Sequence, residues 1–268
     1  MIGIPGLFGI WRLRFGSCFE VGSSDTQPGG RVILVADWHL PAHRTAHTDF
    51  FLRFVNDVCR GAEHVFVLGD LFEAWVGPRH VARPGHRAAL EALSQLAASG
   101  TKVTLLRGNR DFLLDRRTVR RFGLALAKDG WRGELMGRRV RLTHGDELTE
   151  GDGLHKALRA ITGNFPVSTL VKAMPLAASD VLAGAYRWLS DRRHSLRARK
   201  LLRPAPQAVR DEFASGTELL VIAHWHEPGV HTNVFGGKTL VMLGECTERE
   251  ASYAEFTRGG VELKSFPG

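Results

Sequence analysis

Arg31–Asp37 (RVILVAD) is an apolar, β-branched run that stops abruptly at polar residues, the pattern of a buried strand. His64–Asp70 (HVFVLGD) and Lys102–Asn109 (KVTLLRGN) repeat it. Between them, Thr45–Arg60 and His86–Ser99 read as helices; in the second, Leu90, Leu93 and Leu96 recur at helical spacing before a Gly100 stop. This alternation predicts βαβ units, hence an α/β fold with a mostly parallel sheet covered by helices. Arg138–Thr143 and Glu218–Ala223 add two further strands, and Val230–Leu263 reads as short antiparallel strands punctuated by Gly236-Gly237 and Gly259-Gly260. One segment breaks the rhythm. Gly153–Pro204 has no strand character and reads as helices interrupted by Gly163, Pro166 and Pro175, an insertion between two core strands. Residues 1–30 read as a poorly structured extension ahead of a single domain over 31–268. The apolar start of that extension is broken by Pro5 and followed, rather than preceded, by Arg12 and Arg14, which is not the order of a signal peptide.

The chain has 268 residues, 44% of them hydrophobic and 24% charged, which excludes a disordered chain and suffices for a substantial core. Cys18, Cys59 and Cys246 are odd in number and far apart, so they imply neither a disulfide framework nor a CxxC metal site, and a reducing compartment is expected. No stretch approaches the roughly 20 apolar residues of a membrane span. The net charge of +8 changes the picture only once it is located. The insertion holds ten Lys/Arg against two Asp, so the rest of the chain is balanced. Leu182, Trp188, Leu189 and Leu196 interleave with those charges. A basic amphipathic helical lid suits an anionic membrane surface better than it suits nucleic acid, and Phe165, Leu170 and Met174 are placed to line an acyl chamber beneath it. The sequence implies no protein partner.

The candidate chemistry sits where the strands end. The first ends in Asp37-Trp38-His39, the second in Gly69-Asp70 and the third in Gly108-Asn109-Arg110-Asp111. Two later strands end in His144-Gly145-Asp146 and His224-Trp225-His226. In open α/β sheets ligands bind at the carboxyl ends of strands, so these positions are expected to converge. D-x-H and H-x-H spacing is expected to work because alternate residues leaving a strand point the same way. Carboxylates, imidazoles and an amide oxygen form a mixed set that suits Mn, Fe or Zn better than Ca or Mg. Asp37, His39, Asp70, Asn109, His144, His224 and His226 are too many for one ion, and two ions sharing Asp70 accommodate them. Such a pair attracts a phosphate anion and generates a nucleophile at neutral pH.

The order D-x-H, G-D, G-N, H-G-D, H-x-H resembles the calcineurin-like metallophosphoesterases from about Arg31 onward. The resemblance implies a four-layer α/β/β/α sandwich, with the helical insertion of about 153–204 as a lid. It places Asp37, His39, Asp70 and His226 on one ion and Asp70, Asn109, His144 and His224 on the other. GDLFEAWVG (Gly69–Gly77), GNRDFLL (Gly108–Leu114) and THGDELT (Thr143–Thr149) are similar, within that family, to the UDP-2,3-diacylglucosamine diphosphatases of lipid A synthesis. That likeness implies a nucleotide-diphosphate lipid substrate cleaved to UMP and 2,3-diacylglucosamine 1-phosphate, Mn²⁺ as the usual metal, and a peripheral place on the cytoplasmic side of the inner membrane. Another phosphodiester, nucleotide or nucleic acid is the alternative substrate. Asn109 and Arg110 are the expected catalytic groups, and Arg110, Asp111, Phe112, Arg159, Phe165, Lys172 and Arg193 the expected substrate contacts. Many relatives carry His after the G-N pair, whereas Arg110 cannot act as a general acid. It can stabilise charge on a phosphomonoester, a leaving group that departs without protonation and so fits diphosphate cleavage. Trp38 stands where Leu is usual and Trp225 where Thr is usual, while every expected ligand is kept.

Overall fold

The computed structural model describes residues 21–23, 30–127, 129–149, 173–185 and 204–268. Two six-stranded sheets form its centre. The first has the order β12-β11-β2-β3-β4-β5, where β2 is Val32–Val35, β3 His64–Val67, β4 Lys102–Leu106, β5 Ala125–Ala127, β11 Glu250–Thr257 and β12 Gly260–Pro267. The second has the order β1-β6-β7-β8-β10-β9, where β1 is Val21–Ser23, β6 Trp131–Leu135, β7 Arg138–Leu142, β8 Leu219–Ile222, β9 Gly229–Val234 and β10 Lys238–Met242. Strands β2 to β5 run parallel, as do β7, β8 and β10, so their carboxyl ends gather at one edge of the sandwich.

The central strands β2 and β8 are apolar throughout because both faces of the sheets are covered there. Val32, Leu34, Phe66, Leu68 and Leu106 face Leu142, Val221, Ala223, Val241 and Leu243 between the sheets. The alternate residues Ile33, Val35, Val65, Val67, Val103 and Leu105 turn outward against α1 (Ala46–Phe54) and α2 (Pro84–Ala98). On the far side, Leu220, Ile222, Leu240 and Met242 pack on Val209 and Phe213 of α4 (Pro206–Ala214). Helix, sheet, sheet and helix make the four layers expected from the sequence.

Several boundaries differ from expectation for identifiable reasons. Helix α1 begins after Thr45, whose hydroxyl accepts the Thr48 amide in a capping box, and Val55–Cys59 continues it as a π-helical turn. Helix α2 starts two residues early because Pro84 supplies the fixed φ of a first helical position. Strand β5 and helix α3 (Arg116–Arg120) are too short for periodicity to reveal, and β6 carries Arg132, Gly133 and Glu134 in place of an apolar run. The antiparallel run is only partly so: β9 pairs with β10 and β11 with β12, but β10 pairs with β8 in parallel. Within the extension expected to lack structure, Val21–Ser23 pairs in parallel with β6, whose outer edge β7 leaves open.

Of the insertion, 176–185 is helical. Ala183 is buried against the outer core, and Asp180 pairs with Arg83 with His80 3.7 Å away. Val181 and Leu182 are exposed. No helix among the described residues is long and apolar enough to cross a membrane.

Candidate metal centre

The strand ends bring the expected donors together from both sheets. Asp37, Asp70 and Asn109 follow β2, β3 and β4, while His144 and His224 follow β7 and β8. Backbone bonds continue past the strands and fix the loops: Asp37 N–H donates to Gly69 O at 3.2 Å, His39 N–H to Asp70 O at 2.9 Å and Ala223 N–H to His144 O at 3.0 Å. The two sheets are tied through an expected ligand, because His224 N–H donates to Asp37 Oδ2 at 3.1 Å.

The spacing motifs arise differently from the expected strand alternation. Asp37 and His39 have φ of 54° and 47°, Asp70 52°, and His224 and His226 74° and 56°. These are left-handed turn conformations, uncommon for residues other than glycine and tolerated best by Asn, Asp and His. Each D-x-H or H-x-H pair therefore flanks a residue thrown to the other side, and in both motifs that residue is Trp. Trp38 has no exposed surface and meets Phe51 edge-on at 4.8 Å and Phe54 at 5.1 Å, so the aromatic face of α1 anchors the first motif. The Trp225 ring lies over Gly145, where a Cβ would come within 2.6 Å of its Cζ3. Both Trp residues are thus structural anchors beside the expected ligands.

Distances define two overlapping groups. Asp37, His39 and His226 form one, and Asp37, Asp70 and His144 the other. Asp37 Oδ1 lies 3.8 Å from His39 Nε2 and 3.7 Å from His226 Nε2. Asp70 Oδ2 lies between His39 Nδ1 at 3.9 Å and His144 Nε2 at 3.7 Å. His144 Nε2 donates to Asn109 Oδ1 at 2.9 Å and its Nδ1 to Leu68 O at 3.0 Å, while the His224 ring meets it edge-on at 5.1 Å. All seven expected ligands are therefore in one place, with Asp37, Asp70, Asn109 and His144 buried and the other imidazoles half-buried around them.

The electrostatics follow from packing carboxylates and imidazoles together out of water. Burial, reinforced by the Asp111 and Asp37 carboxylates, pushes Asp70 up to about 7 against the pull of His144. Asp37 is held well below the usual carboxylate range despite its burial, because the imidazoles of His226, His144 and His39 surround it. Burial takes His39 down to about 3, and burial with the nearby His144 takes His224 to about 3 as well. Burial opposes the charge on His144, yet Asp70 and Asp37 raise it to about 9. Asp37 Oδ1 and His39 Nδ1 are buried without a hydrogen-bond partner among the described residues. Orphaned acceptors of this kind, in a mixed O/N set, fit divalent first-row ions.

Asp111 departs from its expected place at the substrate. It has no exposed surface, and its carboxylate accepts the amides of Gly108 at 2.7 Å, Leu71 at 2.9 Å and Asp70 at 3.4 Å. It is a positioning residue that locks the Asp70 loop to the Asn109 loop. Asp111→Ala should cost about 2–4 kcal/mol in a denaturation series, since it orphans several amides that bond to one charged group. Phe112 is half-buried and packs against the outer core. Arg159, Phe165, Lys172 and Arg193 lie outside the described residues, as do Leu170, Trp188, Leu189 and Leu196.

Glu245 was missed by sequence reasoning: its Oε2 lies 2.9 Å from His226 Nδ1. A signal existed, because β10 is another apolar run ending in a polar residue, but its parallel pairing with β8 was not foreseen.

Residues 30–250 match the family model described as calcineurin-like phosphoesterase. The chain belongs to that family and is a metal-dependent hydrolase. Among its relatives is the UDP-2,3-diacylglucosamine hydrolase of Stenotrophomonas maltophilia, 35% identical over 241 residues, which cover 86% of this chain and 96% of that protein. The hydrolase of the same name from Enterobacter sp. is 34% identical over 238 residues, 88% of this chain and 98% of that protein. Among solved structures, an archaeal phosphodiesterase aligns with a TM-score of 0.43 and 12% identity, covering 89% of this chain and 99% of that one.

Proposed function

We propose that this chain hydrolyses the diphosphate of UDP-2,3-diacylglucosamine to UMP and 2,3-diacylglucosamine 1-phosphate, a step of lipid A synthesis. What carries this reading is the likeness, over 86% or more of the chain, to hydrolases named for that substrate. Asp37, His39, Asp70 and His226 would hold one divalent ion, and Asp70, Asn109, His144 and His224 the other. The position of Asp70 Oδ2 between His39 and His144 supports its place in both sets. Two such ions, Mn²⁺ in this proposal, supply positive charge for the phosphate oxygens and a nucleophile at neutral pH.

The chain's own groups do the rest. The Arg110 amide donates to Asp70 Oδ1 at 2.8 Å and its carbonyl accepts the Trp75 amide at 3.0 Å, so its backbone is fixed beside the carboxylate. From there its guanidinium pairs with diphosphate oxygens and stabilises the departing phosphomonoester without giving up a proton. Asn109, buried and bonded to His144, directs its amide at the same centre. The basic insertion rests on anionic lipid at the cytoplasmic face of the inner membrane and receives the acyl chains.

The test is UMP release from UDP-2,3-diacylglucosamine with purified protein and Mn²⁺. Turnover of a generic phosphodiester with no UMP would replace this substrate by the alternative one. Arg110→Ala should lower kcat by about 10²–10³-fold with metal content unchanged, the usual effect of losing one charge-stabilising group.

A further inference from the structure

We propose that Glu245 is a positioning residue for the metal centre, and that it makes the two ion positions unequal. The inference rests on the metal-dependent reading above and extends it to a residue outside the ligand set. The Glu245 carboxylate stands 2.9 Å behind His226 Nδ1, an ion-pair contact that places negative charge against the ring's far nitrogen. The ring's other nitrogen, Nε2, lies 3.7 Å from Asp37 Oδ1 within the group of Asp37, His39 and His226. With a carboxylate on each side, the ring has its orientation set before any ion arrives.

The loop that carries Glu245 is itself fixed. Leu243 N–H donates to Ile222 O at 2.8 Å, and Cys246 N–H donates to Asp37 O at 3.0 Å. Gly244 between them lies so close to Ser252 and Pro228 that a Cβ would meet Ser252 Oγ at 2.8 Å and Pro228 Cγ at 3.3 Å. One short segment therefore grips the backbone of Asp37 and the side chain of His226 together.

The other group is built on the same plan with a weaker backing. There His144 Nδ1 donates to a neutral backbone carbonyl, Leu68 O, at 3.0 Å. A carboxylate behind an imidazole raises its basicity and adds negative charge, whereas a carbonyl only orients it. The position that includes His226 is accordingly the tighter of the two, and Glu245 is the cause.

Titration calorimetry of metal-free protein with Mn²⁺ tests this. The parent should show two affinities. Glu245→Ala should weaken the tighter one by about 10–100-fold and leave the other within a factor of about two. Glu245→Gln, which keeps an acceptor and drops the charge, should fall between them, a graded rescue that a purely structural role would not produce. The melting temperature of each metal-free variant should match the parent, because Glu245 is half exposed. Two unchanged affinities in Glu245→Ala would overturn the proposal. Failure of the parent to bind metal at all would instead overturn the metal-dependent reading on which it rests.

Discussion

Asp70→Asn should yield a folded protein whose UMP release falls by more than about 10³-fold, equivalent to about 4 kcal/mol of transition-state stabilisation. Asp70 Oδ2 lies between imidazoles of both proposed ion sets, so losing its charge weakens both positions at once. Stability should move the other way. In the absence of metal Asp70 is raised to about 7 from an ordinary value of 3.8, so the folded state holds a proton that the unfolded chain has released. Ionising it destabilises the fold progressively as pH rises through that window. Asparagine removes the charge and with it the penalty. Metal-free Asp70→Asn should therefore melt at or above the parent temperature at pH 8, with the difference vanishing near pH 4. Added Mn²⁺ should raise the melting temperature of the parent and do little for the variant. Full activity in this variant would sink the two-ion centre.

Gly108→Ala should be the most damaging change of a residue that contributes no functional group. The loops leaving the neighbouring parallel strands β3 and β4 meet here with almost no space between them. A Cβ on Gly108 would fall on Asp70 Oδ1 and within 2.5 Å of the Asp70 nitrogen, and one on Gly69 would meet the Gly108 nitrogen at 2.6 Å. The neighbours are backbone and a bonded carboxylate, so nothing flexible can yield. The expected cost is about 1–3 kcal/mol in a denaturation midpoint. Activity should fall by about 10²-fold or more, because the carboxylate is the atom displaced. Gly184→Ala is the control: nothing lies within 4 Å of its Cβ, and a helical Gly→Ala change should be neutral or slightly stabilising. Parental activity in Gly108→Ala would show that the close approach is not needed.

The parts of the fold that were legible in the sequence are those with a strong local signature. Strands such as Val32–Val35 are buried on both faces and read as unbroken apolar runs, and the polar residues that end them marked the site. All seven expected ligands converge because parallel strands share an end. What escaped is what local pattern cannot encode. Strand β5 has three residues, too few for any period, and β10 looks like one arm of a hairpin until its parallel partner β8 is known. Asp111 and Asn109 are near neighbours after the same strand, and nothing in sequence says that one carboxylate faces backbone amides while the other side chain faces the centre. The left-handed torsions at Asp37, His39, Asp70, His224 and His226 were likewise invisible, although Asp and His are among the few residues that tolerate them.

Those torsions restrict the ligand alphabet. At five positions a proposed ligand has a positive φ, and among common ligand types only Asp, Asn and His accept that torsion at modest cost. Cysteine and glutamate, good ligands elsewhere, are disfavoured by the backbone before their chemistry is tried. Substitutions that preserve the frame can exchange oxygen for nitrogen but cannot readily introduce sulfur. Drift of metal preference in this scaffold is therefore confined to ions that accept oxygen and imidazole donors, and thiophilic specialisation would first require rebuilding the turns.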